Sequence, residues 1–286
     1  MRKYSESIMK SVFKGAACVS IVTVLLICYF LFSTGIPTIL KIGVKDFVFG
    51  KEWSPGSGLY GIFPMIVGSM YVTIGAVVIG VPIGILTAVY MVRYCKAEIY
   101  KVMKPAVDLL AGIPSIVYGF FGMVVVVPWI RDTLELGDGN SILAASILLG
   151  IMILPTIIGV SESAIRAVPD EYYEGALALG ATKERSLFRI VLPAAKSGIL
   201  AAIVLGVGRA IGETMAVIMV AGNQAVVPES IYEGARTLTA NIVLEMGYAT
   251  DLHREALIGT GVILFLFILL INLCFFYLNR RKKNEE

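Results

Sequence analysis

Six long apolar stretches run along the chain, at residues 15–36, 64–92, 106–130, 142–161, 199–221 and 257–278. Each supplies roughly the 20 apolar residues that a helix rising 1.5 Å per residue needs to cross a hydrocarbon layer of about 30 Å. The pattern therefore predicts six membrane-spanning helices. The second stretch carries Gly75, Gly80, Pro82 and Gly84, which predicts one tilted or kinked helix lying close against its neighbours.

The segments between the stretches differ in character. Residues 37–63 hold Trp53, Pro55, Gly56, Gly58 and Tyr60 and read as an irregular loop with interfacial aromatics. Residues 132–140 form a short polar turn. In residues 222–256, Ile231, Ala235, Leu238 and Ile242 recur at helical spacing after Pro228, which predicts an amphipathic or partly re-entrant helix. The loop from Glu162 to Lys196 is too long for a turn. Pro169-Asp170 gives a helix start, Gly180 a stop, Thr182 a second start and Pro193 an end, so two short helices joined by a glycine are expected. No solenoid repeat or low-complexity tract is present.

Composition fixes the class. Of 286 residues, 57% are hydrophobic and 16% charged, against about 45–50% and about 25% in soluble domains, and mean hydropathy is +0.84. So few charges cannot coat a soluble surface, and the chain is an integral membrane protein. Disordered, collagen-like and disulfide-scaffold classes are excluded. Cys18, Cys28 and Cys274 fall in predicted spans and Cys95 in a loop, so none is placed for an extracytoplasmic disulfide or a metal site.

Charge gives the orientation. Seventeen of the 24 Lys and Arg lie in the N-terminal tail, in residues 93–104, in 162–196 and at the C-terminus; six lie on the opposite segments. Short cytoplasmic segments collect Lys and Arg, so both termini are expected in the cytoplasm and the protein is multi-pass in the cytoplasmic membrane. The basic start followed by an apolar run exceeds a signal-peptide core and lacks a cleavage site, so it is expected to remain as a membrane helix.

The one remaining cation, Arg209, falls inside a span with Glu213 four residues on. A mid-membrane charge costs about 2.5–3.5 kcal/mol on insertion scales and is commonly kept for a partner or a path. Helical spacing places both on one face. An inward Arg offers a planar set of donors suited to a tetrahedral oxyanion, and Glu213 can hold it or keep binding from becoming too tight; the plainer alternative is an ion pair gluing the bundle. Asp108 and Glu162 sit near cytoplasmic span ends, where pairing with Lys and Arg suffices. His253, the single histidine, is placed in an outer loop without a ligand cluster, and neither metal nor triad chemistry is indicated. Ser115, Thr214 and Asn223 can line a polar path or bond neighbouring helices.

Glu174-Gly175-Ala176, then Gly180, then Ile190-Val191-Leu192-Pro193 resembles the signature of ABC importer permeases: Glu-Ala-Ala, three residues, Gly, nine residues, Ile-x-Leu-Pro. Gly175 is the one departure. The resemblance implies that Glu174, Gly175, Ala176 and Gly180 belong to a coupling helix docking in a groove of an ATPase subunit. A phosphate-cradling loop is not implied by Gly175 to Lys183, because Lys does not directly follow the second glycine and no strand precedes it; ATP would be bound by the partner, with no cofactor in this chain.

Residues 109–119, Ile151 to Pro155 and Gly208-Arg209-Ala210-Ile211-Gly212-Glu213-Thr214-Met215-Ala216-Val217 resemble the permeases of phosphate-specific ABC importers. The Gly212 to Val217 run and Trp53-x-Pro55 to Tyr60-Gly61-Ile62 resemble the C-type permease, with the A-type as a related alternative. The resemblance covers nearly everything after residue 50. It implies an all-α integral membrane fold of six transmembrane helices, the type I (MetI-like) permease fold, with a tail at 1–14, the first span and external loop at 15–63, the permease core at 64–279 and a tail at 280–286. The implied activity is non-catalytic: translocation of phosphate by alternating access past Arg209, Glu213 and Thr214. The implied partners are an ABC ATPase dimer, a second, A-type permease, an extracytoplasmic phosphate-binding protein and the lipid bilayer, without nucleic acid. Sulfate or molybdate remains open as cargo, since one Arg does not separate tetrahedral oxyanions by charge, and a lone anion channel remains a remoter alternative.

Overall fold

The apolar stretches become helices that overrun their expected ends wherever no proline or capping side chain stops them. In the computed structural model, which describes residues 2–135 and 137–283, the first stretch lies within one helix, α1 (Arg2–Ile42), that passes through the boundary at 14 and 15. The side chains of residues 2–8, 275–276 and 278–283 lie outside the description, and with them the basic groups of Arg2, Lys3 and Arg280 to Lys283, as do residues 284–286 of the expected tail. A short helix α2 (Val44–Phe49) follows, then a two-residue hairpin, β1 (Trp53–Ser54) with β2 (Leu59–Tyr60), in the antiparallel register Trp53 to Tyr60. The expected irregular loop is thus ordered here, and Trp53 is buried rather than interfacial.

The second stretch is one unbroken span: α3 (Phe63–Val89) contains Pro82 and continues through a wider π turn to Tyr94. Its glycines carry the packing. A Cβ on Gly75 would strike Ser146, one on Gly80 would lie 2.8 Å from the Gly150 carbonyl, and one on Gly84 2.7 Å from Ile157. All three partners lie on α7 (below), so the two helix backbones close to near contact only because these side chains are absent.

The third stretch is corrected by a proline. Residues 106–112 belong to an amphipathic helix, α4 (Ala97–Gly112), and Pro114 forces Ile113 into extended backbone. The span begins after it, as α5 (Ser115–Phe121), a π turn, and α6 (Val127–Leu134). Next comes α7 (Ile142–Arg166), started by the Ser141 hydroxyl accepting from the Ala144 amide. It is the most buried span and the centre of the core. The long loop folds as α8 (Asp170–Ala178), α9 (Lys183–Ser186) and α10 (Leu192–Ala194), bent by 69° from α11 (Lys196–Gly212). The chain ends with α12 (Met215–Val220), α13 (Leu238–Met246) and α14 (Asp251–Lys283). Among the described residues, five helices are long and apolar enough to cross a membrane, and the bent pair around α11 makes six. A second apolar core joins α1, the hairpin, α13 and α14 at the edge of the bundle.

Candidate functional site: a broken span at Arg209 and Glu213

α11 has 17 residues, about 26 Å of rise, short of the roughly 30 Å of hydrocarbon. It stops at Gly212, and Glu213 has extended backbone (φ −69°, ψ 135°). The expectation of one continuous span at 199–221 with Arg209 and Glu213 on a common face is therefore corrected. The reason is local. The Glu213 carboxylate turns onto the backbone ahead, accepting from the amides of Thr214 (3.1 Å) and Ala216 (3.3 Å), and so supplies the acceptor that the first turn of α12 needs.

Arg209 and Glu213 form no ion pair among the described residues. The Arg209 Nη1 instead donates to the Thr156 hydroxyl of α7 at 3.3 Å, which leaves most of the guanidinium fork for another acceptor. Gly208 and Gly212 have open space where side chains would stand, so the backbone around Arg209 is approachable. Thr214, at the break, donates to the Gly212 carbonyl at 3.3 Å. A half-buried cation beside a broken helix, with backbone groups turned out of the helical ladder, is suited to holding an oxyanion in passage.

The other residues singled out in the sequence are placed as follows. Ser115 opens α5, and the Asn223 amide donates to the Ile218 carbonyl at 2.7 Å within its own turn. Glu162, 4% exposed, accepts from the Tyr100 hydroxyl (2.6 Å) and Arg166 (3.0 Å) and pairs with Lys104 (3.3 Å), which also reaches Asp108. Burial works to lower the Lys104 pKa, but Asp108 and Glu162 outweigh it and hold the ammonium above its usual value. The hydrogen bond to Glu162, with burial, raises the Tyr100 phenol. Pairing thus accounts for both acids.

The loop of Glu174, Gly175, Ala176 and Gly180 has the expected form. Gly180 is left-handed (φ +86°), its amide bonds to Leu177 and that of Ala181 to Ala176, and Thr182 caps the second helix. Ala176 is buried, whereas Glu174, Gly175 and Gly180 are exposed and Leu179 is 92% exposed. Arg93, at the end of the α3 span, anchors the loop through Asp170 (3.1 Å) and the Tyr173 ring.

A second polar centre was not foreseen. Glu245 on α13 is buried and accepts from Trp53 Nε1 (2.8 Å) and Arg236 Nη1 (2.6 Å), and lies 2.8 Å from His253 Nε2. His253 is corrected from a loop to the first turns of α14, and Ile231 and Ala235 from a helix to an irregular return segment whose groups bond Leu143 and Ala221. The helix starts only where Thr237 caps it.

The family described as "Binding-protein-dependent transport system inner membrane component" matches residues 80–284. The chain is 39% identical over 292 residues to "Probable ABC transporter permease protein YqgH" of Bacillus subtilis, covering 99% of this chain and 93% of that one. It is 32% identical over 240 residues to the phosphate transport system permease protein PstC of Pasteurella multocida, covering 77% and 75%. Among solved structures, the MetNI methionine ABC transporter superposes with a TM-score of 0.59 at 22% identity over 80% of this chain and 99% of that one. A bacterial alginate ABC transporter superposes with 0.59 at 18% over 95% and 96%. Together with the six-span helical bundle, these likenesses place the chain in the family of binding-protein-dependent transport system inner membrane components, as a non-catalytic, PstC-like permease subunit of an ABC importer.

Proposed function

We propose that this permease subunit passes inorganic phosphate across the cytoplasmic membrane by alternating access, with Arg209 as the anion contact. The observation that carries the reading is Arg209 itself: the one Lys or Arg placed within an apolar span by the sequence, set one turn before a helix break and, among the described residues, held by one hydrogen bond, to Thr156. Relatives named phosphate transport permeases support the cargo. Glu213 and Thr214 complete the contact at the break. The Glu213 carboxylate is an acceptor for the proton of hydrogen phosphate, a proton that sulfate lacks near neutral pH.

In this reading both termini face the cytoplasm, and the loop carrying Glu174, Gly175, Ala176 and Gly180 docks on one subunit of an ATPase dimer. A second, A-type permease completes the pathway, and a phosphate-binding protein delivers the anion from outside. ATP-driven closure of the ATPases would move the loop, rock the bundle and expose Arg209 to alternate sides.

Phosphate uptake by a strain lacking its own system tests this, with variants matched for membrane level. Arg209→Ala should abolish uptake, since it removes the cation that holds the anion and leaves only the negative charge of Glu213 near the break. Arg209→Lys keeps the charge but not the fork, and partial uptake is expected. Glu213→Gln retains an oxygen to cap α12 while removing the charge, so it should assemble normally and weaken discrimination between phosphate and sulfate. Normal uptake by the Arg209→Ala, Glu213→Ala double variant would return the pair to a structural role.

A further inference from the structure

We propose that Thr239 is a positioning residue: its hydroxyl latches α13 onto the break in the path helix, and release of this bond opens the path toward the outside. The proposal rests on the permease reading and on the external placement of residues 222–256.

The latch is built from named bonds. Thr239 Oγ1 donates to the Glu213 carbonyl at 3.0 Å, across 26 residues of sequence. Its oxygen lies 3.1 Å from Thr237 Oγ1, which in turn accepts from the Ala240 amide at 3.2 Å. The single Thr239 proton is committed to Glu213, so the proton shared by the two hydroxyls must come from Thr237. The result is one directed chain, from the Ala240 amide through Thr237 and Thr239 to the Glu213 carbonyl, in which each bond polarises the next. Thr237 and Thr239 are 5% and 7% exposed, so water does not replace a lost bond cheaply. The Leu238 amide donates to Ser69 of α3 at 2.9 Å and holds the same turn against the bundle.

Both ends of α13 matter. Its inner end grips the residue whose side chain caps α12 and whose peptide forms the break, so a shift of α13 pulls on the groups beside Arg209. Its outer end carries Glu245, which ties together the hairpin through Trp53, the return segment through Arg236 and α14 through His253. Nine helical residues, about 13 Å long, therefore form a rod with one end on the break beside Arg209 and the other on the hairpin, the return segment and α14, which the permease reading places on the outer side. A permease needs such an element, because a path that opens without a signal from outside would leak.

The test uses the assembled transporter in intact cells. The native cysteines are replaced by serine, and Met215→Cys, a position 45% exposed just past the break, reports access to an impermeant maleimide added outside. Thr239→Val keeps the shape and loses the donor; Thr239→Ser restores the donor. The Val variant should label about two- to tenfold faster, as expected for loss of one net hydrogen bond, and the Ser variant at the unmodified rate. Thr239→Ala serves in the same way if the Val variant does not reach the membrane. Equal labelling of the variant lacking the hydroxyl and the unmodified chain, or a Ser variant that labels like Val, overturns the latch. Labelling needs no phosphate: an unmodified chain that fails to take up phosphate but keeps the contrast between Val and Ser would sink the cargo assignment and leave the latch standing.

Discussion

At the residue scale, two neighbours in the exposed loop separate geometry from contact. Gly180 has φ +86°, and a Cβ there would meet no atom within 4 Å, so the penalty for a side chain is purely conformational, about 1–2 kcal/mol, and larger for a β-branched one. Gly180→Val should relieve that strain by re-aiming α9 while leaving the spans untouched. The protein is expected in the membrane at normal level with reduced co-purification of its ATPase and reduced uptake. Leu179, 92% exposed, is an apolar side chain that stands clear of the packed core of the described residues. Leu179→Ser should change stability by less than about 0.5 kcal/mol and, if the loop docks on the ATPase as proposed, still weaken ATPase capture, because it removes exposed apolar area from that loop. If both variants retain the ATPase and transport normally, the loop is not the coupling element.

At the element scale, the seam between α3 and α7 governs whether the bundle closes. A Cβ on Gly80 would stand 2.7 Å from an Ile153 methylene carbon and 2.8 Å from the Gly150 carbonyl; backbone cannot yield as a side-chain tip can, so Gly80→Ala should cost about 1–3 kcal/mol. Gly159→Ala, on α7 with open space around it, should be neutral or slightly stabilising through helix propensity. Thermal unfolding of the two variants in detergent checks the contrast. This seam was legible in the sequence because its glycines and Pro82 lie within one helix, as was the loop, whose Pro169, Gly180 and Thr182 act on amides only a few residues away. Other elements were not. The spacing of Arg209 and Glu213 is the same whether or not the helix continues, and only the turn of a carboxylate onto its own backbone ends it. Trp53 and Glu245 meet across 192 residues, a distance that no local pattern reports. Pro114 was visible, and its effect on Ile113 follows from sterics alone; an unbroken apolar run masked it.

At the scale of the whole molecule, the structure sorts the charged segments into two groups. The first comprises Arg93, paired with Asp170 of the loop, and Lys104 and Arg166, both paired with Glu162 near the end of α7 that leads into the loop. The hairpin, Arg236, Glu245 and His253 are bonded together elsewhere, around α13 and the start of α14. The first group contains the two internal segments richest in Lys and Arg, and the second falls on segments poor in them, so the grouping by contact agrees with the grouping by charge. Because translocation retains short basic segments on the cytoplasmic side, the first group should face inward. Reporter fusions after Lys104 and Lys196 are accordingly expected to be active as cytoplasmic reporters, and fusions after Asp138 and Asp251 as external ones. The Asp251 fusion is the most demanding of the four. It requires the broken span to cross completely, with α11 and α12 together supplying the length that α11 lacks, and α13 to return to the side it left. A cytoplasmic result there, with the other three as expected, would mean that the chain turns back at Glu213 and Thr214, and that Arg209 lies on a re-entrant helix instead of a spanning one.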